Sequence, residues 1–109
     1  MIIFFYIKNS KTENISFVDG ISDLPLFKSM ENVNENLVIF DTNEGRIVRT
    51  EIVGRVNLSE ANDFYSTILP NLGWTKTNEN QYIRENEVLS VVFLQEKNNI
   101  LIKFNIAPN

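Results

Sequence analysis

The acidic side chains are the residues whose spacing comes closest to a chemical site. Asp41 and Glu44 lie in one predicted turn, and Glu85 and Glu87 lie in another. An EF-hand loop needs about a dozen residues with ligands at fixed spacing, so two acids in a hairpin turn do not predict a calcium site. Paired carboxylates hydrolyse glycosides only when they face each other across a cleft, whereas acids in one tight turn point outward. We interpret both pairs as solvated turns.

Two residue types that many enzymes and metal sites use are missing. The chain has no His and no Cys, which removes the usual general base, thiolate nucleophiles, disulfides and zinc sites of the Cys/His type. No Gly-x-Ser-x-Gly motif surrounds a serine, and the four glycines are too dispersed to form a phosphate-binding loop. We predict that the protein is not an enzyme and uses no cofactor and no metal. Chemistry by carboxylates, Lys or Tyr keeps an enzyme as a third hypothesis.

Composition and charge narrow the class of protein further. A chain of 109 residues, 43% hydrophobic and 22% charged, predicts one globular domain over residues 1–109. The net charge of −4, with scattered Lys and Arg, argues against a nucleic-acid partner. The apolar start Met1–Ile7 is too short to span a membrane. We expect a cytoplasmic protein, or a periplasmic one if the true start lies upstream.

The first third of the chain gives the weakest structural signal. Met1–Ile7 is typical of a β-strand, and Ile15–Val18 could return beside it, so residues 1–20 predict a strand pair. Asp19–Asn36 shows no regular period. Leu37–Phe40 then predicts a short buried strand that turns at Asp41–Gly45.

Residues 37–106 predict a core unit with the element order β-β-α-β-β-β-β. Arg46–Val56 alternates, which predicts a strand with two different faces. One face would carry Val48, Thr50, Ile52, Gly54 and Val56, and the other Ile47, Arg49, Glu51, Val53 and Arg55. Four further strands are predicted at Trp74–Thr77, Gln81–Arg84, Val88–Leu94 and Ile100–Ile106.

One amphipathic helix is predicted between these strands. Asn57 or Ser59 can cap its start, and Gly73 is a natural terminator. The apolar stripe comprises Ala61, Phe64, Tyr65, Ile68 and Leu69. Short turns between strands favour antiparallel pairing. The predicted fold class is therefore α+β, with a meander-type antiparallel sheet packed on one main helix in two layers.

Two groups of residues are candidates for binding. Phe64, Tyr65 and Trp74 could line a ligand pocket, but core packing is the favoured interpretation, with Phe64 and Ile68 against the sheet and Tyr65 and Trp74 at the rim. The apolar residues Ile47, Val53 and Leu101, with Arg49 and Arg55, would form an interface on the outer sheet face.

Three blocks of the sequence carry a resemblance to a known group. They are Val38–Val48 (VIFDTNEGRIV), Phe64–Trp74 (FYSTILPNLGW) and Tyr82–Leu89 (YIRENEVL). Across roughly residues 23–108 the chain resembles small uncharacterised alphaproteobacterial proteins. The resemblance implies a bacterial origin and a stand-alone domain, and it implies no catalytic residue. Residues 1–20 fall outside it.

These observations lead to two leading hypotheses of different classes. The first is a non-enzymatic bacterial binding or assembly module that uses a sheet face or edge to hold a protein partner or a second copy of itself. The alternative is a carrier of a small apolar ligand, with a pocket between helix and sheet. An uncovered apolar sheet surface would favour the first hypothesis, and an apolar pocket with a few polar rim groups would favour the second.

Overall fold

From residue 38 onward the strands and the helix follow one another in the predicted order, and one short strand that was not predicted precedes them. The computed structural model describes residues 15–109, and within them seven strands form one antiparallel sheet with one α-helix packed on it. The elements are β1 (Met30–Asn32), β2 (Val38–Thr42), β3 (Gly45–Gly54), α1 (Leu58–Asn71), β4 (Thr75–Asn78), β5 (Gln81–Arg84), β6 (Glu87–Glu96) and β7 (Asn99–Pro108). The predicted α+β class is confirmed.

The sheet places β7 and β6 at its centre, and β3 lies beside β7. Its strand order is β1-β3-β7-β6-β5-β4, and β2 also pairs with β3. β1 pairs with Ile52–Gly54 of β3, and β2 pairs with Gly45–Arg49. Because β7 occupies the other side of β3, β1 and β2 lie end to end along the same side. The strands after α1 form the predicted meander, which brings β7 back beside β3.

The two predicted faces of β3 and of β7 are confirmed. Val48, Thr50 and Ile52 of β3 are buried, whereas Ile47 and Val53 are half-buried on the opposite face. β7 buries Ile100, Ile102, Phe104 and Ile106. We call the face that carries these buried residues, and that α1 covers, the inner face, and the opposite one the outer face. β3 ends at Gly54, two residues earlier than predicted. Gly54 lies so close to the Ser29 carbonyl oxygen that a side chain there would collide with it.

Both ends of α1 are fixed by the predicted signals. The Asn57 side chain accepts a 3.0 Å hydrogen bond from the Glu60 backbone N–H, which caps the first turn. At the other end, Gly73 has φ +95°, its N–H donates to the Pro70 carbonyl, and the Trp74 N–H donates to the Leu69 carbonyl. These two bonds form a Schellman motif, which satisfies carbonyls that the helix end would leave unpaired.

The buried face of α1 differs from the predicted one by about one residue. Ala61, Tyr65 and Leu69 are buried, whereas Phe64 and Ile68 are only half-buried. Phe64 and Ile68 therefore pack at the margin of the core instead of being buried, and the expected position of Tyr65 at the rim is wrong. A stripe spaced by three and four residues spans two adjacent helix faces, and periodicity alone does not select between them.

A run of turns, Phe17–Met30, covers the rest of the inner face, and we call it the turn segment. Its buried apolar residues recur at every third position: Val18, Ile21, Leu24, Phe27 and Met30. Hydrogen bonds from the N–H of Ile21 to the Val18 carbonyl, and of Leu24 to the Ile21 carbonyl, link them in successive turns. The expected strand at Ile15–Val18 is wrong, since only an isolated bridge joins Phe17 to Pro25. Its expected partner at residues 1–7 lies outside the described residues.

Candidate binding surfaces

The outer face does not bring the five predicted interface residues into one patch. Ile47 and Val53 lie on it six residues apart along β3, a distance of about 20 Å. Leu101 lies directly beside Val53, and Arg49 is exposed between the two ends. Arg55 follows the end of β3 and lies in a bend rather than on the sheet, because β3 stops at Gly54.

Polar rows divide the apolar ends of the outer face. One apolar row crosses the strands from Val53 to Leu101 and on to Leu94. Two rows between the apolar ends pair Arg49 with Asn105 and Glu51 with Lys103. The outer face as a whole is therefore a mixed surface, and its apolar area is concentrated at the two ends.

β2 is the most exposed apolar element among residues 15–109. Val38, Ile39 and Phe40 are 36%, 55% and 52% exposed. The register places Val38 and Phe40 on the outer face, opposite Arg49 and Ile47, and Ile39 on the inner side, opposite Val48. Within the described part of the chain, β2 pairs only with β3, and no described strand pairs with its other backbone edge, which we call the open edge.

The prediction that Leu37–Phe40 is a buried strand is wrong for a reason of topology. A short run of consecutive apolar residues is typical of a strand that is buried on both faces. Here the run forms an edge strand, beyond which the described sheet ends. The sequence predicts the turn after β2, but it does not indicate whether β2 is an edge strand or lies between two other strands.

The three predicted pocket aromatics occupy three different environments. Phe64 is half-buried and packs beside Phe27, with ring centroids 5.2 Å apart. Tyr65 is buried in the core, edge-on to Phe104 at 5.4 Å. Trp74 is also buried, beyond the end of α1, which corrects the expectation that Tyr65 and Trp74 lie at a rim. The three side chains do not form one pocket.

The Tyr65 hydroxyl fastens the turn segment to α1. It donates a 2.8 Å hydrogen bond to the Pro25 carbonyl and accepts a 2.9 Å bond from the Phe27 backbone N–H. Burial raises the pKa of Tyr65 above its ordinary value, and the bond from Phe27 offsets part of that rise. The hydroxyl therefore stays protonated and acts as a structural anchor.

Arg84 holds Trp74 and the end of α1 together. Its guanidinium carbon lies 4.2 Å from the centroid of the Trp74 ring. The same guanidinium donates to the Leu72 carbonyl at 2.9 Å and to Asp23 at 3.0 Å. A cation at this position also suits the negative end of the helix dipole.

A second ion pair links β3 to β6 on the inner side. Arg46 forms a 2.8 Å ion pair with Glu87, and this bond raises the pKa of Arg46. Residues 15–109 contain no cluster of three or more acidic side chains that could hold a metal ion. No helix in this range is long and apolar enough to cross a membrane.

One open apolar groove lies between the turn segment and α1. Its volume is about 750 Å³. Phe64 and Ile68 of α1 form one side, and the turn segment forms the other. The lining residues of the turn segment and its flank are Ile15, Ser16, Pro25, Leu26, Phe27, Lys28, Ser29 and Met30. The groove was missed because its wall comes from the segment without a regular period, although the apolar residues at every third position were visible.

Comparison with protein-family models, curated proteins and solved structures finds no match for the chain. The resemblance to alphaproteobacterial proteins therefore stays a prediction, and the geometry of the two surfaces, the β2 edge and the groove, carries the functional argument.

Proposed function

We propose that the protein is a non-enzymatic bacterial module that binds a protein partner, and that the partner adds an extended strand to the open edge of β2. The observation that carries this proposal is the exposure of three successive large apolar residues, Val38, Ile39 and Phe40, in that edge strand. Exposed apolar edge strands favour pairing with another chain, so soluble proteins normally protect them with charge, proline or a covering element.

The arrangement of β2 favours a strand over a flat partner surface. A flat surface laid on the outer face would cover Val38 and Phe40 and leave Ile39 exposed on the inner side. The side chains of an added strand would alternate between the two faces and would lie beside Val38 and Phe40 on one face and beside Ile39 on the other. The added strand would also form hydrogen bonds with the backbone groups along the edge. Ile47, which pairs with Phe40, would extend the contact on the outer face.

The charge around β2 favours a different chain over a second copy. Asp41 lies in the strand, Glu44 follows it, and Glu35 precedes it, and all three are exposed. Two antiparallel β2 strands would bring the acids of both copies to the same seam, where like charges destabilise pairing. A partner segment that alternates apolar residues with Lys or Arg fits the edge better.

Selection of linear peptides against the immobilised full chain tests the proposal. We expect enriched peptides to alternate apolar and basic residues and to slow amide hydrogen exchange in β2. Phe40→Lys should weaken their binding about tenfold or more, because an unpaired charge would be desolvated at the seam. Leu94→Lys is the matched control: Leu94 is 37% exposed at the far end of the outer face, and its replacement should leave binding unchanged.

Two results would contradict strand addition by a partner. Equal peptide binding by the parent and Phe40→Lys would remove β2 from the interface. A dimer detected by light scattering that Phe40→Lys dissociates would identify a second copy as the occupant. Thermal melting of each variant checks that the fold is retained, as expected for exposed side chains.

A further inference from the structure

We infer that the groove between the turn segment and α1 binds single-chain alkyl carboxylates. This site is separate from the β2 edge, and the inference does not depend on strand docking. Its volume of about 750 Å³ lies within the range of small-molecule sites in proteins. Its lining also has the usual character of such sites, with many apolar side chains and few polar groups.

The wall of the groove is held in place from behind. Tyr65 bonds to Pro25 and Phe27, so its buried hydroxyl fixes the middle of the wall. The Met30 N–H donates to the Phe27 carbonyl, which closes a turn that contains Lys28 and Ser29. We call this turn the rim of the groove. Moving Pro25 or Phe27 away from this position would break one of the two Tyr65 hydrogen bonds, so these bonds oppose a rearrangement of the wall.

A close backbone contact fixes the rim as well. Ser29 has φ +69°, an uncommon conformation for a residue with a side chain. Its carbonyl oxygen lies so close to Gly54 that a Cβ there would be only 2.6 Å away. This contact sets the position of the rim turn, and with it the backbone of Lys28.

The apolar lining suits an alkyl chain. The Phe27 and Phe64 rings lie side by side, and Ile68, Leu26 and Met30 complete the apolar surface. Methionine is unbranched and flexible, so it adapts to chains of different shape. Each methylene that leaves water for such a surface should raise affinity by up to about fourfold.

The head group is selected by Lys28. Among the residues of the range 15–109 that line the groove, Lys28 is the only charged one, and it is exposed. An anionic head would meet a cation there, whereas the net charge of −4 makes most of the protein unattractive to anions. A carboxylate at the rim with its chain along Phe64 satisfies both parts of the site.

Calorimetric titration of the full chain with hexanoate, octanoate, decanoate and dodecanoate, each below its micelle concentration, tests the inference. We expect affinity to rise with chain length until the groove is filled. The alcohol of equal length should bind about two- to fivefold more weakly, as expected for the loss of an exposed ion pair. Lys28→Met should remove that difference and leave alcohol binding unchanged.

Substitutions on α1 locate the bound chain. Ile68→Asp should reduce the binding of every ligand about tenfold or more, because it places a carboxylate in the groove. Leu58→Asp is the matched control on the same helix: Leu58 is exposed outside the groove, so binding should not change. Melting curves of both variants confirm that loss of binding is not loss of fold, and Lys28→Met provides an independent readout at an exposed position.

Four outcomes would overturn the inference. The first three are no binding at any chain length, equal binding of carboxylate and alcohol by the parent, and loss of binding in Leu58→Asp. The fourth comes from a separate titration with anionic vesicles: binding to the vesicles without binding of monomeric carboxylate. A double variant with Phe4→Ser and Phe5→Ser that alone gains binding would identify the chain's own amino-terminal residues as the occupant.

Discussion

Tyr65 connects parts of the chain that are about forty residues apart in sequence, and this connection defines the turn segment. Its hydroxyl contacts backbone groups of Pro25 and Phe27. The helical stripe predicts an apolar environment for position 65, but no local pattern predicts which distant backbone groups the hydroxyl meets. Long-range hydrogen bonds of this kind depend on the assembled fold. The sequence alone therefore could not identify Tyr65 as the residue that holds the turn segment, or the groove that this segment forms with α1.

We predict that Tyr65→Phe lowers the free energy of unfolding by about 1–3 kcal/mol, because it leaves a buried N–H of Phe27 without its acceptor. Chemical denaturation measures the change. Tyr82→Phe is the control: the Tyr82 ring is buried, but within residues 15–109 its hydroxyl holds no buried backbone N–H, so its loss should cost less. Equal costs at both positions would show that the bonds of Tyr65 contribute nothing specific.

Tyr65→Phe should also change how the free energy of unfolding depends on pH in alkaline solution. Because the pKa of Tyr65 is raised in the folded state, raising the pH through about 10 deprotonates this tyrosine first in the unfolded state. The stability it contributes is complete below about pH 10 and declines above it, by up to about 1.4 kcal/mol per pH unit. The parent should therefore lose stability faster than Tyr65→Phe between about pH 10 and 11. Parallel curves would contradict a raised pKa.

At the scale of elements, local signals predict those parts of the fold that are specified locally. The cap at Asn57, the terminator at Gly73 and the alternation in β3 and β7 each follow from chemistry within a few residues. The exposure of β2 and the burial of the turn segment depend instead on neighbours distant in sequence. The apolar residues at every third position between Val18 and Met30 match successive turns, a pattern that is easily missed when only helix and strand periods are sought.

The end of α1 provides a test at this scale. Gly73→Ala should cost about 1–2 kcal/mol, because φ +95° is unfavourable for a residue with a Cβ and the new atom would lie 3.3 Å from Arg84. Asn71→Ala, in the last turn of the same helix, is the control and should cost little, because Asn71 is exposed and alanine favours helix. Denaturation followed by the fluorescence of Trp74, the sole tryptophan, measures both. A neutral Gly73→Ala would mean that the Schellman motif does not fix this helix end.

At the scale of the whole molecule, the sheet has one face that builds the core and one face that is mixed. The inner face carries α1 and the turn segment, and its central strands contribute a continuous apolar surface. The outer face alternates apolar and polar rows, so covering it would bury Arg49, Glu51 and Lys103 along with the apolar ends. This division is why the open edge of β2, rather than the broad outer face, is the better candidate for a partner.

Adjacent positions on β3 test this division directly. Ile52→Lys should abolish cooperative folding: the site is fully buried, and an unpaired buried charge costs about 3–5 kcal/mol or more of a total stability of about 5–15 kcal/mol. Val53→Lys should change stability by about 1 kcal/mol or less. Its stem would cover Leu101 and its ammonium would reach water near Glu31, both of which pair with position 53. Thermal melting and circular dichroism compare the two variants. If Ile52→Lys folded and Val53→Lys did not, the assignment of the inner and outer faces would be wrong. The placement of Phe40 and Ile47 at the proposed partner seam would then be wrong as well.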